Sequence, residues 1–297
     1  MRKLLKWMLW IGFLLVTASL AMVVFYRFVP VPVTATMLMD EHGITKDWEP
    51  LEKIDRDMVR AVIAAEDSKF CAHDGFDWEA IEKAREQNAR SGRIRGGSTI
   101  SQQTAKNVFL WQGGGYFRKG VEAYFTFLIE KIWGKRRIME VYLNVAETGI
   151  GTYGVKAGAE RYFGHGADNL SVRQAAAIAA VLPLPKERPG RNPSGFTARY
   201  GSTIATRMGV VARDGLDACV YPSGASEPVQ TLEKRPEPPK PRGAPAREGA
   251  PAAEEPAAPS EDLQLPPAPL PVPPQDSPAV PDAEPPPPPP ADQPAAE

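Results

Sequence analysis

The chain has 297 residues and a formal net charge of −1, yet 25 of its 32 prolines lie between 222 and 297, so the averages describe no single body. That stretch holds 5 basic and 13 acidic side chains and no Tyr, Trp, Phe, Ile or Cys; too poor in large apolar groups to offset the entropy of ordering its backbone, it is predicted to be a disordered, partly polyproline-II tail. The other residues carry 30 basic and 23 acidic groups, which excludes a soluble acidic enzyme and points to an anionic partner: phosphate, nucleic acid or a membrane surface.

From Trp7 to Tyr26 twenty consecutive residues lack a charge, enough for a helix to cross a hydrocarbon core of about 30 Å. Arg2, Lys3 and Lys6 precede the run, and the positive-inside rule assigns that end to the cytoplasm and everything after Arg27 to the outer side. A cleaved signal peptide is the alternative. Ser19-Leu20-Ala21 is a poor cleavage site and apolar residues continue beyond it, so a retained anchor is expected. The chain is thus divided into a cytoplasmic tip and anchor (1–29), a folded domain (30–221) and the acidic tail (222–297).

Elements of the domain follow in order. Residues 33–50 are read as a short strand pair around His42-Gly43. Met58 to Ala65 is an almost wholly apolar helix that runs into Glu66-Asp67. Asp77 is an N-cap for the next helix, with Phe76 and Ile81 spaced as a hydrophobic staple and Glu79 in the positive first turn. A loop from Ser91 to Gly97 follows, and Thr99 with Gln102 forms a capping-box pair that opens a helix to about Leu110. Further helices are predicted over about Phe117–Trp133, Lys135–Val145 and Val155–Phe163. Ser171 and Gln174 supply a second capping box before Ala175–Leu182, which Pro183 and Pro185 stop. Strand signals are otherwise scarce, so the fold class is mostly α.

Cys71 and Cys219 are the chain's cysteines, spaced like neither a zinc site nor a redox pair. Outside the cytoplasm they form either one disulfide or two buried free thiols; sequence separation does not choose.

Three constellations carry chemistry. Glu66 follows an apolar run and stands at a helix C-terminus, where desolvation and the helix dipole both favour a protonated carboxyl, the tuning that a general acid or base needs; the plain alternative is a surface pair with Lys69 or Arg60. In Gly96 to Asn107, two glycines permit close approach of a ligand, the helix start offers N–H groups to an anion, and Gln103, Lys106 and Asn107 share one polar face. Arg118 and Lys119 stand four and three positions before Glu122 in an otherwise apolar segment, Val121 and Ala123 to Ile129, so these charges are expected to line an interior cleft. Lys135-Arg136-Arg137 is either a set of phosphate ligands or a solvated turn.

Taken together the residues resemble a known family, the monofunctional biosynthetic peptidoglycan glycosyltransferases, related to the glycosyltransferase module of bifunctional penicillin-binding proteins. The resemblance runs from about Pro30 to Met208. Glu66-Asp67-x-x-Phe70-x-x-His73-x-Gly75 looks like its first motif, Gly97-Ser-Thr-Ile-Ser-Gln-Gln-x-x-Lys106-Asn107 its second, Arg118-Lys119-x-x-Glu122 its third, and Lys135-x-x-Ile138 with Tyr142-Leu-Asn144 its fourth. The chain departs from the family pattern at Pro183-Leu-Pro185, where Pro-Asn-Pro is common, and at Tyr200-Gly201, in a stretch usually richer in Arg and Gln.

The resemblance implies a helical, lysozyme-like fold that polymerises lipid II on the outer face of the cytoplasmic membrane. It implies Glu66 as the general base, with Glu122 orienting the basic residues or sharing a divalent cation (Mg or Mn) with the diphosphate. Lys106, Arg118 and Lys119 become diphosphate ligands; Ser98, Thr99, Gln102, Gln103 and Asn107 bind sugar and phosphate; Asp67, Phe70, His73, Gly75, Lys135, Tyr142 and Asn144 support the motifs. The implied partners are lipid II, the growing lipid-linked glycan, the bilayer (reached by the Val108 to Phe117 run) and cell-wall synthesis proteins met through the Pro-rich tail, and no nucleic acid. A lytic glycosidase would also use one glutamate but would not need phosphate-binding bases around it. An inactive scaffold working through the tail is disfavoured by the intact motifs. No Ser has Lys three residues later and no Lys-Thr-Gly occurs, so the bifunctional acyl-transfer machinery is not expected.

Overall fold

The computed structural model describes residues 2–91 and 97–221. The tail, and most of the loop expected between Ser91 and Gly97, lie outside those residues.

Ten α-helices, one 3-10 turn (Leu51–Lys53) and three short strands are described: α1 (Arg2–Phe28), α2 (Ala35–Leu38), β1 (Thr45–Lys46), α3 (Arg56–Glu66), α4 (Trp78–Ser91), α5 (Ile100–Phe109), α6 (Gly115–Ile132), α7 (Gly134–Val145), β2 (Glu147–Gly149), β3 (Thr152–Tyr153), α8 (Val155–Phe163), α9 (Val172–Val181) and α10 (Gly195–Arg213). The domain is mostly helical, as its sequence predicts. Two packed groups build it: α3 lies with α9 and α10, and α5 with α6 and α7. Met58, Val59, Ala61, Val62 and Ile63 of α3 are wholly buried, the four larger side chains each stabilising the fold by roughly 1.5–3 kcal/mol. Arg60, on the same helix, is buried because Asp57 and Asp217 both pair with it, at 3.0 and 3.2 Å.

Caps fix where the helices begin. Both predicted capping boxes are present, Thr99 with Gln102 and Ser171 with Gln174, and the Ala80 amide donates to Asp77 Oδ1 at 3.0 Å. Gly134, at φ +73°, turns α6 into α7.

Two expectations need correction. No strand pair forms within 33–50. Residues 35–38 are helical, and β1 pairs in parallel with β3, which runs antiparallel to β2. The cause is a long-range fit: the Thr45 amide donates to Gly151 O at 2.8 Å, and a Cβ on Gly151 would stand 2.8 Å from His42 O, so the His42-Gly43 turn lies flush on this distant loop. The second correction is α10, a 19-residue helix that the predicted elements omit. Thr197, Tyr200, Ile204, Met208 and Val211 are its buried residues, at spacings of three and four, a helical stripe legible in the sequence.

Among the described residues α1 is the one helix long and apolar enough to cross a membrane. Its C-terminal end is fastened to the domain. Trp133 Nε1 donates to Val23 O at 2.7 Å, Arg137 Nη2 donates to Tyr26 O and Val29 O at 2.9 and 2.7 Å, and Ser19 Oγ and Tyr124 OH share a 2.8 Å bond. Cys71 and Cys219 are joined in a disulfide with Cα atoms 5.4 Å apart, the first of the two alternatives. Asp217 is held by Arg56 at 2.8 and 3.0 Å, so the segment after α10 is latched twice.

Candidate active site

Glu66 is the last residue of α3, set where the helix carbonyls converge. Gln103 Nε2 on α5 donates to its Oε2 at 2.8 Å, and Tyr142 OH on α7 donates to Gln103 Oε1 at 3.3 Å, which fixes the orientation of that amide. Glu66 Oε1 is sealed from solvent and has no hydrogen-bond partner. Burial pushes the Glu66 carboxyl above its ordinary value; the Gln103 bond and the charges of Arg188 and Lys106 oppose the shift, while Asp67 adds to it. Of the two sequence alternatives for Glu66, a surface pair with Lys69 or Arg60 does not form: Lys69 pairs with Glu79, and Arg60 with Asp57 and Asp217.

The neighbouring Asp67 is buried and spent. It accepts from His73 Nε2 at 3.0 Å and from the Ile100 amide, the first of α5, at 3.0 Å. His73 Nδ1 accepts from the Gly75 amide at 3.1 Å, so the ring carries its proton on Nε2. Thr99 Oγ1 donates to Gly75 O at 2.7 Å. The loop from Glu66 to Gly75 is therefore bolted to the start of α5, which aims the Gln103, Lys106 and Asn107 face at Glu66.

The cationic wall comes from α5 and α6. Glu122 is 2 % exposed and both of its oxygens are occupied: Arg118 Nη1 donates to Oε2 at 3.0 Å and Lys119 Nζ to Oε1. Arg118 Nε also donates to Gly113 O, and Lys119 Nζ to Ser98 Oγ at 3.2 Å. The Lys106 ammonium makes no hydrogen bond or ion pair among the described residues. Its ammonium is held below the usual lysine range, chiefly by burial, with Glu122 working against the shift and Arg118 and Lys119 adding to it. An anion entering here meets two braced cations and one uncommitted cation. Glu122, already paired twice, has no oxygen left for a cation, and no group of three or more His, Cys, Asp or Glu suited to a metal occurs among the described residues. These residues do not fit a protein-held divalent ion.

Other predicted site residues serve as scaffold. Thr99 and Gln102 are buried in the α5 cap, where Gln102 Oε1 accepts from the Thr99 amide at 3.0 Å. Lys135 pairs at 2.7 Å with the buried Glu130, which also accepts from Ser101, and stands over the Phe70 ring. Arg136 binds Glu52 and Val220 O; Arg137 binds Glu140 and the end of α1. This basic triplet is not a solvated turn, but a clamp between segments. Asn144 joins α7 to the Glu49 backbone in both directions, at 2.7 and 2.8 Å. Gly97 lies against the α4 backbone, where a Cβ would be 3.3 Å from Ala80 O; Gly96 is outside the described residues. The apolar residues of α6 are not all interior either: Tyr124 and Phe127 are exposed, as are Trp111, Tyr116 and Phe117 nearby.

Two residues escaped the motif reading. Arg188, on the segment after α9, and Tyr200, on α10, both act electrostatically on Glu66. Tyr200 OH donates to Ala65 O at 3.0 Å, and its ring carries the Arg188 guanidinium at 5.6 Å. The departure at Tyr200 was the available signal.

A partly buried carboxylate at a helix end, an uncommitted lysine and a braced Arg-Lys-Glu set, on a helical domain fastened to a helix long and apolar enough to cross a membrane, are the parts of a group-transfer site. A family model described as Transglycosylase matches residues 34–209. The biosynthetic peptidoglycan transglycosylase of Caulobacter vibrioides is 50 % identical over 223 residues, 74 % of this chain and 97 % of that protein. Those of Rhodospirillum centenum and Bdellovibrio bacteriovorus are 48 % and 47 % identical, over 67 % and 73 % of this chain and 88 % and 90 % of theirs. The chain belongs to the transglycosylase family, among its monofunctional peptidoglycan glycosyltransferases, the family that its four motifs resemble.

Proposed function

We propose that this chain polymerises lipid II into linear glycan strands by inverting β-1,4 transfer. The observation that carries the reading is Glu66 Oε1, a sealed and unpartnered carboxylate oxygen beside the uncommitted Lys106. In the ionised form Glu66 takes the proton of the acceptor GlcNAc 4-hydroxyl as that oxygen bonds to the anomeric carbon of the donor MurNAc. The bond from that carbon to the diphosphate breaks, and undecaprenyl diphosphate leaves with the electron pair. A carboxylate of raised proton affinity is the stronger base for this step. Lys106, Arg118 and Lys119 stabilise charge on the departing diphosphate, and Glu122 keeps the latter two in place. Ser98, whose hydroxyl accepts from Lys119, and Gln103 and Asn107, on α5 with Lys106, supply sugar and phosphate hydrogen bonds.

The same reading puts the domain outside the cytoplasmic membrane, with α1 inserted and its basic N-terminus inside. The exposed Trp111, Tyr116, Phe117, Tyr124 and Phe127 support a bilayer-facing surface for a substrate whose lipid stays in the membrane. We further propose that the acidic Pro-rich tail meets other cell-wall synthesis proteins.

Detergent-solubilised protein incubated with labelled lipid II, followed by muramidase digestion of the product, tests the activity. Glu66→Gln keeps the shape and removes the base, so turnover should fall about 10²–10⁴-fold with the fold retained. Retention of more than about a tenth of wild-type turnover would remove Glu66 from the base role. Shortening of preformed glycan without consumption of lipid II would establish the lytic alternative.

A further inference from the structure

Glu66 is approached by charge from two sides, and the motifs account for one of them. Lys106, Arg118, Lys119 and Glu122 come from α5 and α6. Arg188 comes from the segment Pro183 to Gly190, between α9 and α10. Its guanidinium lies 5.1 Å from the centre of the Phe196 ring and 5.6 Å from that of Tyr200, and Nη1 donates to Ala180 O at 2.9 Å. Tyr200 is itself tied to α3 by its hydroxyl on Ala65 O, one residue before Glu66. Phe196 and Tyr200 stack on each other with centroids 5.8 Å apart, and Arg188 lies against this pair, which Tyr200 ties to the helix end that bears the carboxylate. The segment is anchored again at Lys186, whose Nζ donates to the buried Asp40 at 3.3 Å and stands 4.0 Å from Glu147. Arg188 makes no ion pair among the described residues, and its partly desolvated guanidinium favours the ionised form of Glu66.

We propose that Arg188 is a positioning residue for Glu66: held against the stacked rings of Phe196 and Tyr200, it keeps the carboxylate ionised and ready to accept the acceptor's proton. The proposal rests on Glu66 being the base. Other groups facing Glu66 are Asp67 from its own helix end, Gln103 and Lys106 from α5, Tyr142 from α7 and Tyr200 from α10. Of these Lys106 alone is cationic, and a bound diphosphate would draw its charge away, which leaves Arg188 as the counter-charge during turnover. Loss of that charge raises the proton affinity of Glu66, so the ionised base is lost at higher pH than in the wild type.

The test uses the full chain in detergent, with Arg188→Gln, Arg188→Lys and Glu66→Gln. Lipid II turnover is followed against pH, and protonation of Glu66 is read without turnover from the infrared band of the protonated carboxyl that Glu66→Gln abolishes. For Arg188→Gln the acid limb of kcat and the infrared midpoint should both move up by about one pH unit. The rate loss should be about tenfold below the limb and shrink toward alkaline pH, with KM for lipid II little altered. Arg188→Lys should restore most of the shift. An unmoved infrared midpoint, an equal loss at every pH, or a raised KM with kcat intact would overturn the proposal, the last by making Arg188 a substrate ligand. Should Arg188→Gln fail to fold, Arg188→Lys decides through its midpoint, which must lie within about half a unit of wild type. If Glu66→Gln stays active while the infrared shift occurs, the base assignment fails and the electrostatic coupling stands.

Discussion

Removal of the Cys71–Cys219 disulfide by a double alanine substitution should lower stability far more than activity. The bond spans a sequence separation of 148 residues, and the chain-entropy relation for a loop of that length gives about 5 kcal/mol at 25 °C, against the 2–5 kcal/mol typical of native bridges. In a domain of this size each kcal/mol shifts Tm by roughly 2–4 °C, so a fall of about 10 °C is expected. The native arrangement should survive the loss. Asp217, 1 % exposed, still pairs with Arg56 and Arg60, and Arg136 still donates to Val220 O at 2.9 Å, which holds the C-terminal segment where the disulfide left it. Asp67, His73 and Gly75 keep the loop around Cys71 through bonds of their own. Thermal unfolding by circular dichroism in detergent, run beside lipid II turnover at 25 °C, separates the two effects. An unchanged Tm would refute the entropic argument, and lost turnover in a folded variant would show that the bond shapes the site directly. Quantitative alkylation of both thiols in unreduced, denatured protein would refute the bond itself.

Two further outcomes follow from the geometry. Lys106→Ala and Lys119→Ala should each lower kcat/KM by about 10²–10³ and weaken binding of a non-reactive lipid diphosphate; only Lys119→Ala should also cost about 1 kcal/mol of stability, since it strips a partner from the buried Glu122 while Lys106 has none to lose. Diphosphate binding at wild-type strength in both variants would make these residues surface charges. Gly75→Ala places a Cβ 2.9 Å from Thr126 Cγ2 and 3.0 Å from Glu130 Cγ at φ +89°, so it should destabilise by roughly 2–4 kcal/mol and disturb the His73 to Asp67 bond; a wild-type Tm would contradict this.

Much of this protein is determined locally. The 20-residue uncharged run, the two capping boxes, the Asp77 cap and the apolar α3 each follow from periodicity and capping, because those signals act within one or two helical turns. The Glu66, Lys106 and Arg118 to Glu122 constellation was legible for the same reason: its spacings are helical. Three things needed the tertiary structure. β1 chose Thr152 and Tyr153 over a local partner, since register against a distant loop depends on backbone contact that no neighbouring residue encodes. The basic triplet at 135–137 became a clamp, because what a cation does depends on which carboxylate or carbonyl the chain brings to it, here Glu130, Glu52 and the end of α1. And Arg188 reached Glu66 only because α10 returns Tyr200 to the end of α3; 122 residues separate the two in sequence, and the field that one charge exerts on another follows distance in space.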